Sequence, residues 1–204
     1  MHLAADNTHQ GKEALDDAQL MRRIAQGDRA AFEKLYLGYH RRLSRFLMRF
    51  AESYEAAEEI INDTMMVVWD KADSFRGSSK VSTWIIGIAY RRALKAFKHS
   101  KVQRNAEAKA VEVEQIERLE IFGADSDSTR TQWLAQGMKR LSLEQRMVIE
   151  LAYFLGHSCE EISQITDTPV NTVKTRMFHA RHRLRAVLPG LGEPAGTQNL
   201  DSSS

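Results

Sequence analysis

Residues 168–185, TPVNTVKTRMFHARHRLR, carry side chains that suit contact with phosphate and bases, because they include five cations and two histidines but no acid. At 100° per residue one stripe of a helix here is apolar: Val170, Val173, Met177, Ala180, Leu184 and Leu188. The opposite face holds Asn171, Thr175, Phe178, His179 and His182. Cations border that face on both sides, Lys174, Arg181 and Arg185 on one and Arg176 and Arg183 on the other.

A simply solvated helix face would mix acids among the bases and would seldom expose Phe178. A centre of hydrogen-bonding groups between cationic flanks fits the DNA major groove, with the flanks on phosphates and the centre on base edges. The turn TDTP separates this helix from one expected over residues 158–166. The pair therefore predicts a helix-turn-helix that binds DNA.

A second unusual surface lies on a helix expected between residues 54 and 73. Its side opposite the apolar stripe carries mostly acids together with a Met and a Trp: Glu59, Asn62, Asp63, Met66, Trp69, Asp70 and Asp73. Trp69 could simply fill a gap between helices. The functional interpretation is an aromatic anchor ringed by carboxylates that binds a basic protein, since an acidic face excludes DNA.

A polar loop with one aromatic follows that helix: Phe75, Arg76, Gly77, Ser78, Ser79 and Lys80. The next helix, expected over residues 81–99, turns basic side chains to one side in its second half: Arg91, Arg92, Lys95 and Lys98. The loop and the basic helix end could hold single-stranded nucleic acid with an extruded base. An ordinary turn between helices would have the same composition, so both interpretations stay open.

Apolar spacings of three and four residues predict an all-α fold. We expect helices at 17–26, 28–50, 54–73, 81–99, 129–141, 143–155, 158–166 and 169–187. Ser142 with Gln145, and Ser158 with Glu161, form capping boxes that start two of these helices. Residues 101–128 are rich in Glu and lack a clear apolar stripe. They could hold a transient helix, but we interpret them as a flexible acidic linker.

The charge distribution supports two small helical domains within the 204 residues. Residues 16–100 hold 15 Lys/Arg against 11 Asp/Glu, residues 101–128 hold 4 against 7, and residues 129–192 hold 9 against 5. We therefore expect domains at 16–100 and 129–190, with disordered ends at 1–15 and 191–204. The single cysteine excludes a disulfide framework. Without a signal peptide or a membrane-length apolar run, a cytoplasmic protein without membrane insertion is expected.

Two long stretches resemble one bacterial family. The sequence AEEIINDTMMVVWDKADSFRGSSKVSTWIIGIAYRRALKAF is similar to the promoter-melting domain of extracytoplasmic-function (ECF) sigma factors of RNA polymerase. The sequence LSLEQRMVIELAYFLGHSCEEISQITDTPVNTVKTRMFHARHRLR is similar to the upstream-element-binding domain of the same family. The resemblance covers about residues 16–188. It implies a cytoplasmic transcription initiation factor, active in stress responses, whose partners are core RNA polymerase, promoter DNA and an anti-sigma factor.

The resemblance also implies roles for particular residues. Contacts to the clamp of the polymerase's largest subunit would come from Asn62, Asp63, Met66, Trp69 and Asp70. Contacts to the minus-ten DNA would come from Phe75, Arg76, Ser78, Ser79, Lys80, Arg91, Arg92 and Lys95. Contacts to the minus-thirty-five element would come from Asn171, Lys174, Thr175, Arg176, Phe178, His179 and Arg183. This chain departs from the family's usual residues at Asn62, Met65, Val81 and His179, which bears on base preference.

Two other classes of protein compete with a sigma factor. A stand-alone helix-turn-helix regulator would explain the second domain but leaves the Trp69 surface without a partner. An enzyme acting on nucleic acid has little support, because His157 and Cys159 lack companion ligands at metal spacing and no Gly-rich phosphate loop occurs. The segment His157-Ser158-Cys159 fits a turn with a small buried thiol. We therefore expect no catalytic residue, no metal and no cofactor.

Overall fold

The computed structural model describes residues 16–107 and 129–188, and within these ranges the backbone is helical with turns and no strand. The expected ends at 1–15 and 191–204, and most of the expected linker, lie outside the described residues. The first helices are α1 (residues 16–24), α2 (Arg29–Leu47), α3 (Tyr54–Asp70) and α4 (Val81–Glu107), with a short 3₁₀ turn at Ala72–Ser74. They are followed by α5 (Thr129–Lys139), α6 (Leu143–Ile149), α7 (Cys159–Thr166) and α8 (Val170–Val187). The expected all-α fold is confirmed.

Several helix ends differ from the sequence-based expectation, and α2, for example, ends at Leu47 instead of at 50. Helix α4 continues to Glu107 instead of ending at 99, because residues 100–107 contain no Gly or Pro to stop it. Helix α3 ends at Asp70 and gives way to the 3₁₀ turn, so Asp73 lies beyond the helix. The helix expected over 143–155 is α6 followed by a π-helical turn at Glu150–Phe154.

The chain forms two compact units. In the first, α3 packs between α2 and α4. The core side chains of these helices are almost fully buried: Leu35, Leu43, Leu47, Ile61, Met65, Val68, Ile85, Ile86 and Ala93. Asp28 begins α2 by accepting the Ala31 N–H at 3.0 Å, and Ser53 begins α3 in the same way through Ala56.

The second unit contains α5, α6, α8 and the first part of α7. Its core includes Met138, Leu141, Ile149 and Ala180, with Leu184 packed against them. Helix α5 approaches α8 so closely that a Cβ on Gly137 would lie 2.6 Å from Leu188 Cδ2. Both expected capping boxes, at Ser142 and Ser158, are present and fix the starts of α6 and α7.

Candidate functional site

The acidic Met/Trp surface lies on the outer side of α3, and we call Asn62, Asp63, Met66, Trp69 and Asp70 the docking face. All of these are exposed except Trp69, which is half-buried. The Trp69 indole meets the Phe32 ring edge-on, with the centroids 5.2 Å apart and the planes at 70°. Trp69 therefore fills part of the gap between α2 and α3 and also leaves part of its surface accessible. Met66, which is 56% exposed, extends the apolar part of the face.

A row of aromatic side chains on α2 runs beside the docking face. The Tyr36 hydroxyl donates a hydrogen bond to Asn62 Oδ1 at 3.0 Å. One turn further along, His40 Nε2 lies 2.9 Å from Glu58 Oε2. These residues are not among the site residues predicted from the sequence. The visible signal was the four-residue spacing of Phe32, Tyr36 and His40, which also fits an ordinary core stripe.

Arg92, expected on the minus-ten DNA, forms an ion pair with Asp63 of the docking face. The pair is solvent-accessible, because the side chains of Arg92 and Asp63 are 38% and 56% exposed. Arg91 and Lys95 are both exposed and share one face of α4, since their directions differ by only about 40°. The structure thus brings residues from two expected sites together.

The loop between the 3₁₀ turn and α4 keeps Arg76, Ser78 and Lys80 exposed, while Phe75 and Ser79 are half-buried. The Phe75 ring packs against Trp84 of α4, with centroids 5.4 Å apart. Gly77 has a φ of +71°, a left-handed conformation that favours glycine. Trp84 was not among the candidate residues, because the first half of α4 is apolar on nearly all sides and hides it.

Helix α8, the recognition helix, has the two-sided arrangement expected of it. Val173, Met177 and Ala180 are buried, and the opposite face is exposed: Asn171, Thr175, Phe178, His179 and His182. Of the candidate cations, Lys174 and Arg183 are exposed and Arg176 is half-buried. Phe178 is 61% exposed and stacks on His182, with ring centroids 6.4 Å apart and planes at 28°. His182 therefore belongs to the same aromatic surface.

The turn before the recognition helix is tightly held. Asp167 adopts a left-handed conformation with φ 51°, which Asp tolerates better than most residues. The Ser163 hydroxyl donates to the Thr168 carbonyl at 2.6 Å across this turn. At the start of α7, the backbone N–H of Glu160, the Ser158 hydroxyl and the charge of Lys174 lower the pKa of Glu160. Lys174 thus lies within the field of an acid on the neighbouring helix.

The segment His157-Ser158-Cys159 leads into α7, which begins at Cys159, and His157 is buried with its Nδ1 3.4 Å from Glu161 Oε2. The thiol of Cys159 is half-buried instead of buried, and its Sγ lies 3.8 Å from Met177 Sδ.

Among the residues that the structure describes, no group of three or more His, Cys, Asp or Glu side chains could hold a metal ion. In the same residues, no helix is both long and apolar enough to cross a membrane.

Comparison with known proteins decides the family. A model of sigma-70 region 2 matches residues 35–102, and a model of sigma-70 region 4 matches residues 131–184. The RNA polymerase sigma-H factor of Pseudomonas aeruginosa is 28% identical over 191 residues, which are 87% of this chain and 96% of that protein. The ECF RNA polymerase sigma-E factor of Escherichia coli is 29% identical over 184 residues, 84% of this chain and 94% of that protein. The chain belongs to the ECF sigma factors of the sigma-70 family.

A solved structure of RpoE in complex with the anti-sigma factor NepR, from Bartonella quintana, has a similar fold. Its TM-score is 0.59 at 25% identity, and the match covers 79% of this chain and 98% of that one. The docking face, loop 75–80 and the basic part of α4 lie within the region 2 match, and the candidate DNA-binding residues of the recognition helix lie within the region 4 match. The family resemblance expected from the sequence is confirmed.

Proposed function

We propose that this sigma factor binds core RNA polymerase through the docking face and reads promoter DNA through loop 75–80, the basic side of α4 and the recognition helix. As an ECF sigma factor it directs RNA polymerase to promoters. The observation that carries the residue assignments is the presence of two unlike surfaces, one acidic and aromatic in region 2 and one cationic in region 4. A stand-alone regulator would need only the second.

The docking face fits a basic protein partner. Trp69 and Met66 supply apolar area, and the exposed Asp70 supplies charge that steers a basic surface toward it, whereas Asp63 is paired with Arg92. Because Phe32 already packs against one side of the Trp69 indole, the anchor does not have to be ordered on binding. Docking would then bury the exposed side of the ring.

The minus-ten strand would be held beside the Phe75–Trp84 ring pair. Unstacked bases gain stability against aromatic side chains, and Lys80, Arg91 and Lys95 would neutralise nearby phosphates. Arg76, Ser78 and Ser79 offer hydrogen-bond donors within the same loop. We place Arg92 apart from this group, because its guanidinium is paired with Asp63.

The recognition helix would read the minus-thirty-five element in the major groove. Its exposed centre would face base edges through Asn171, Lys174, Thr175, Phe178 and His179. Arg176 and Arg183 would bind phosphates on the flank. The buried side, which includes Val173 and Met177, holds the helix against its own unit and fixes which side faces the DNA.

We also propose an inhibitory partner and a cellular location for this sigma factor. RpoE of Bartonella quintana was solved in complex with an anti-sigma factor, and we propose that this chain is also held inactive by an anti-sigma factor that covers its DNA-facing surfaces. It acts in the cytoplasm, where polymerase and promoter DNA meet. It contributes binding groups and no catalytic group, because the polymerase carries out the chemistry.

The test is reconstitution with core RNA polymerase, using stoichiometric complex formation and transcription start-site mapping. Trp69→Ala should weaken complex formation by roughly 2 kcal/mol or more, since a buried aromatic anchor is lost from an interface. The variant should stay folded, which circular dichroism checks. Leu37→Ala is the control, because Leu37 is 66% exposed on a different side of α2. A folded Trp69→Ala protein with unchanged polymerase affinity would refute the docking assignment.

A further inference from the structure

The docking face is supported from α2 by three side chains at four-residue spacing. Each one meets a residue of α3 across the helix pair, and the pairs are Phe32 with Trp69, Tyr36 with Asn62, and His40 with Glu58. A repeat of four residues places the three on one side of α2, facing α3. Two of the supported residues, Trp69 and Asn62, belong to the docking face.

Tyr36 is the middle member of this row and has an aromatic ring on each side. Its ring lies between those of Phe32 and His40, with centroid distances of 6.4 Å and 5.6 Å. The ring is half-buried, so its two side-chain torsions are restricted by packing on both sides. The hydroxyl is therefore presented in a fixed place on the border of the docking face.

Asn62, in contrast, has an exposed side chain on the surface of α3. Left alone, such a side chain samples several rotamers, and ordering it on binding costs free energy. The hydrogen bond from the Tyr36 hydroxyl to Asn62 Oδ1, at 3.0 Å, selects one orientation before a partner arrives. It occupies one lone pair of the amide oxygen and turns the two N–H groups of Nδ2 away from Tyr36.

We propose that Tyr36 is a positioning residue for polymerase docking, which holds Asn62 so that its amide N–H groups face the partner. The partner then presents a hydrogen-bond acceptor, a backbone carbonyl or a carboxylate, opposite Asn62. This proposal rests on the proposed function of the docking face. It adds a specific polar contact to a surface whose other members supply apolar area and negative charge.

The experiment is a double-mutant cycle on affinity for core RNA polymerase, measured with the full chain by fluorescence titration. Tyr36→Phe removes the hydroxyl and keeps the ring, so we expect a two- to tenfold loss of affinity, about what one hydrogen bond contributes. Asn62→Ala should lose at least as much. The double variant should bind no more weakly than Asn62→Ala alone, because Tyr36 acts through Asn62.

Tyr39→Phe is the matched control. Tyr39 lies three residues further along α2, and its hydroxyl donates to Asp17 of α1 instead of to the docking face. Removing the Tyr39 hydroxyl should lower the midpoint of thermal unfolding, because a hydrogen bond within the fold is lost, but leave polymerase affinity unchanged. Tyr36→Phe should do the reverse, lowering affinity with little change in the midpoint, which a purely structural role would not produce.

The outcomes separate this proposal from the docking assignment on which it rests. If Asn62→Ala weakens binding but Tyr36→Phe does not, or if the two losses add in the double variant, Tyr36 does not position Asn62. If Asn62→Ala leaves affinity unchanged, the proposal also fails, whatever Trp69→Ala does. If Trp69→Ala is unchanged as well, the docking assignment is wrong too.

Discussion

The ion pair between Arg92 and Asp63 predicts that Arg92 contributes less to DNA binding by the free sigma factor than Arg91 does. Solvent-accessible pairs contribute about 0.2–1 kcal/mol, and these side chains are 38% and 56% exposed. The pair is therefore closed more often than open, and the Asp63 carboxylate offsets part of the Arg92 charge. Arg91 is exposed and lies about 100° from Arg92 around α4, so it is accessible to phosphate.

The salt dependence of binding to single-stranded DNA measures this difference. Each phosphate that a protein neutralises on a single strand contributes about 0.7 to the slope of log affinity against log salt. Arg91→Gln should flatten that slope by about 0.7, and Arg92→Gln by less. In an Asp63→Asn background, where the pair is lost, Arg92→Gln should flatten the slope by about 0.7. Fluorescence anisotropy of the full chain on a labelled oligonucleotide gives these slopes.

Asp70→Asn supplies the control for a general change of charge. Asp70 is exposed on the same side of α3, two turns from Asp63, and its removal takes away the same single charge. Arg92→Gln is to be compared in the Asp70→Asn and Asp63→Asn backgrounds. If it flattens the salt slope equally in both, the effect comes from overall charge and not from the ion pair. Equal flattening by Arg91→Gln and Arg92→Gln in the otherwise unchanged chain would refute the reasoning altogether.

Two further predictions concern the DNA-binding surfaces. Replacing Phe75 and Lys80 together by Ala should leave closed-complex binding largely intact and slow strand opening, because the loop meets DNA only after bases unstack. Permanganate footprinting reports opening, and an unchanged rate would assign melting to the basic end of α4. Arg183→Ala should weaken binding to matched and scrambled upstream duplexes alike and flatten the salt slope by about 0.9. Lys174→Ala should cost about 1–3 kcal/mol of binding free energy on the matched duplex alone. If anisotropy instead shows that Lys174→Ala weakens both duplexes equally and Arg183→Ala weakens only the matched one, the helix is rotated from the orientation proposed.

The helices and their outward faces could be predicted because the signals are local. Apolar spacing placed Val173 and Met177 on the buried side of α8 and Phe178 on the exposed side, where the structure has them. The capping boxes at Ser142 and Ser158 depend on residues only three apart. A periodic pattern needs no knowledge of the neighbouring helix to separate inside from outside.

Pairs between helices could not be predicted in this way. Tyr36 and Asn62 are 26 residues apart, and Asp63 and Arg92 are 29 apart, so no local pattern links them. Both pairs depend on how α2 and α4 pack against α3 and on the rotation of each helix about its axis. Charge alone placed Arg92 with its basic neighbours on α4, whereas packing brings it to the carboxylate of Asp63.

A short turn joins α3, which carries the docking face, to loop 75–80. The 3₁₀ turn at Ala72–Ser74 joins the two, with Ala72 buried and the Ser74 hydroxyl donating to the Lys71 carbonyl at 2.7 Å. The Phe75 N–H donates to the Ala72 carbonyl at 3.3 Å. A shift of the end of α3 on docking would be coupled to the Phe75 ring through this one turn. Any such coupling is reciprocal, so DNA that binds at Phe75 would strengthen or weaken docking by the same factor.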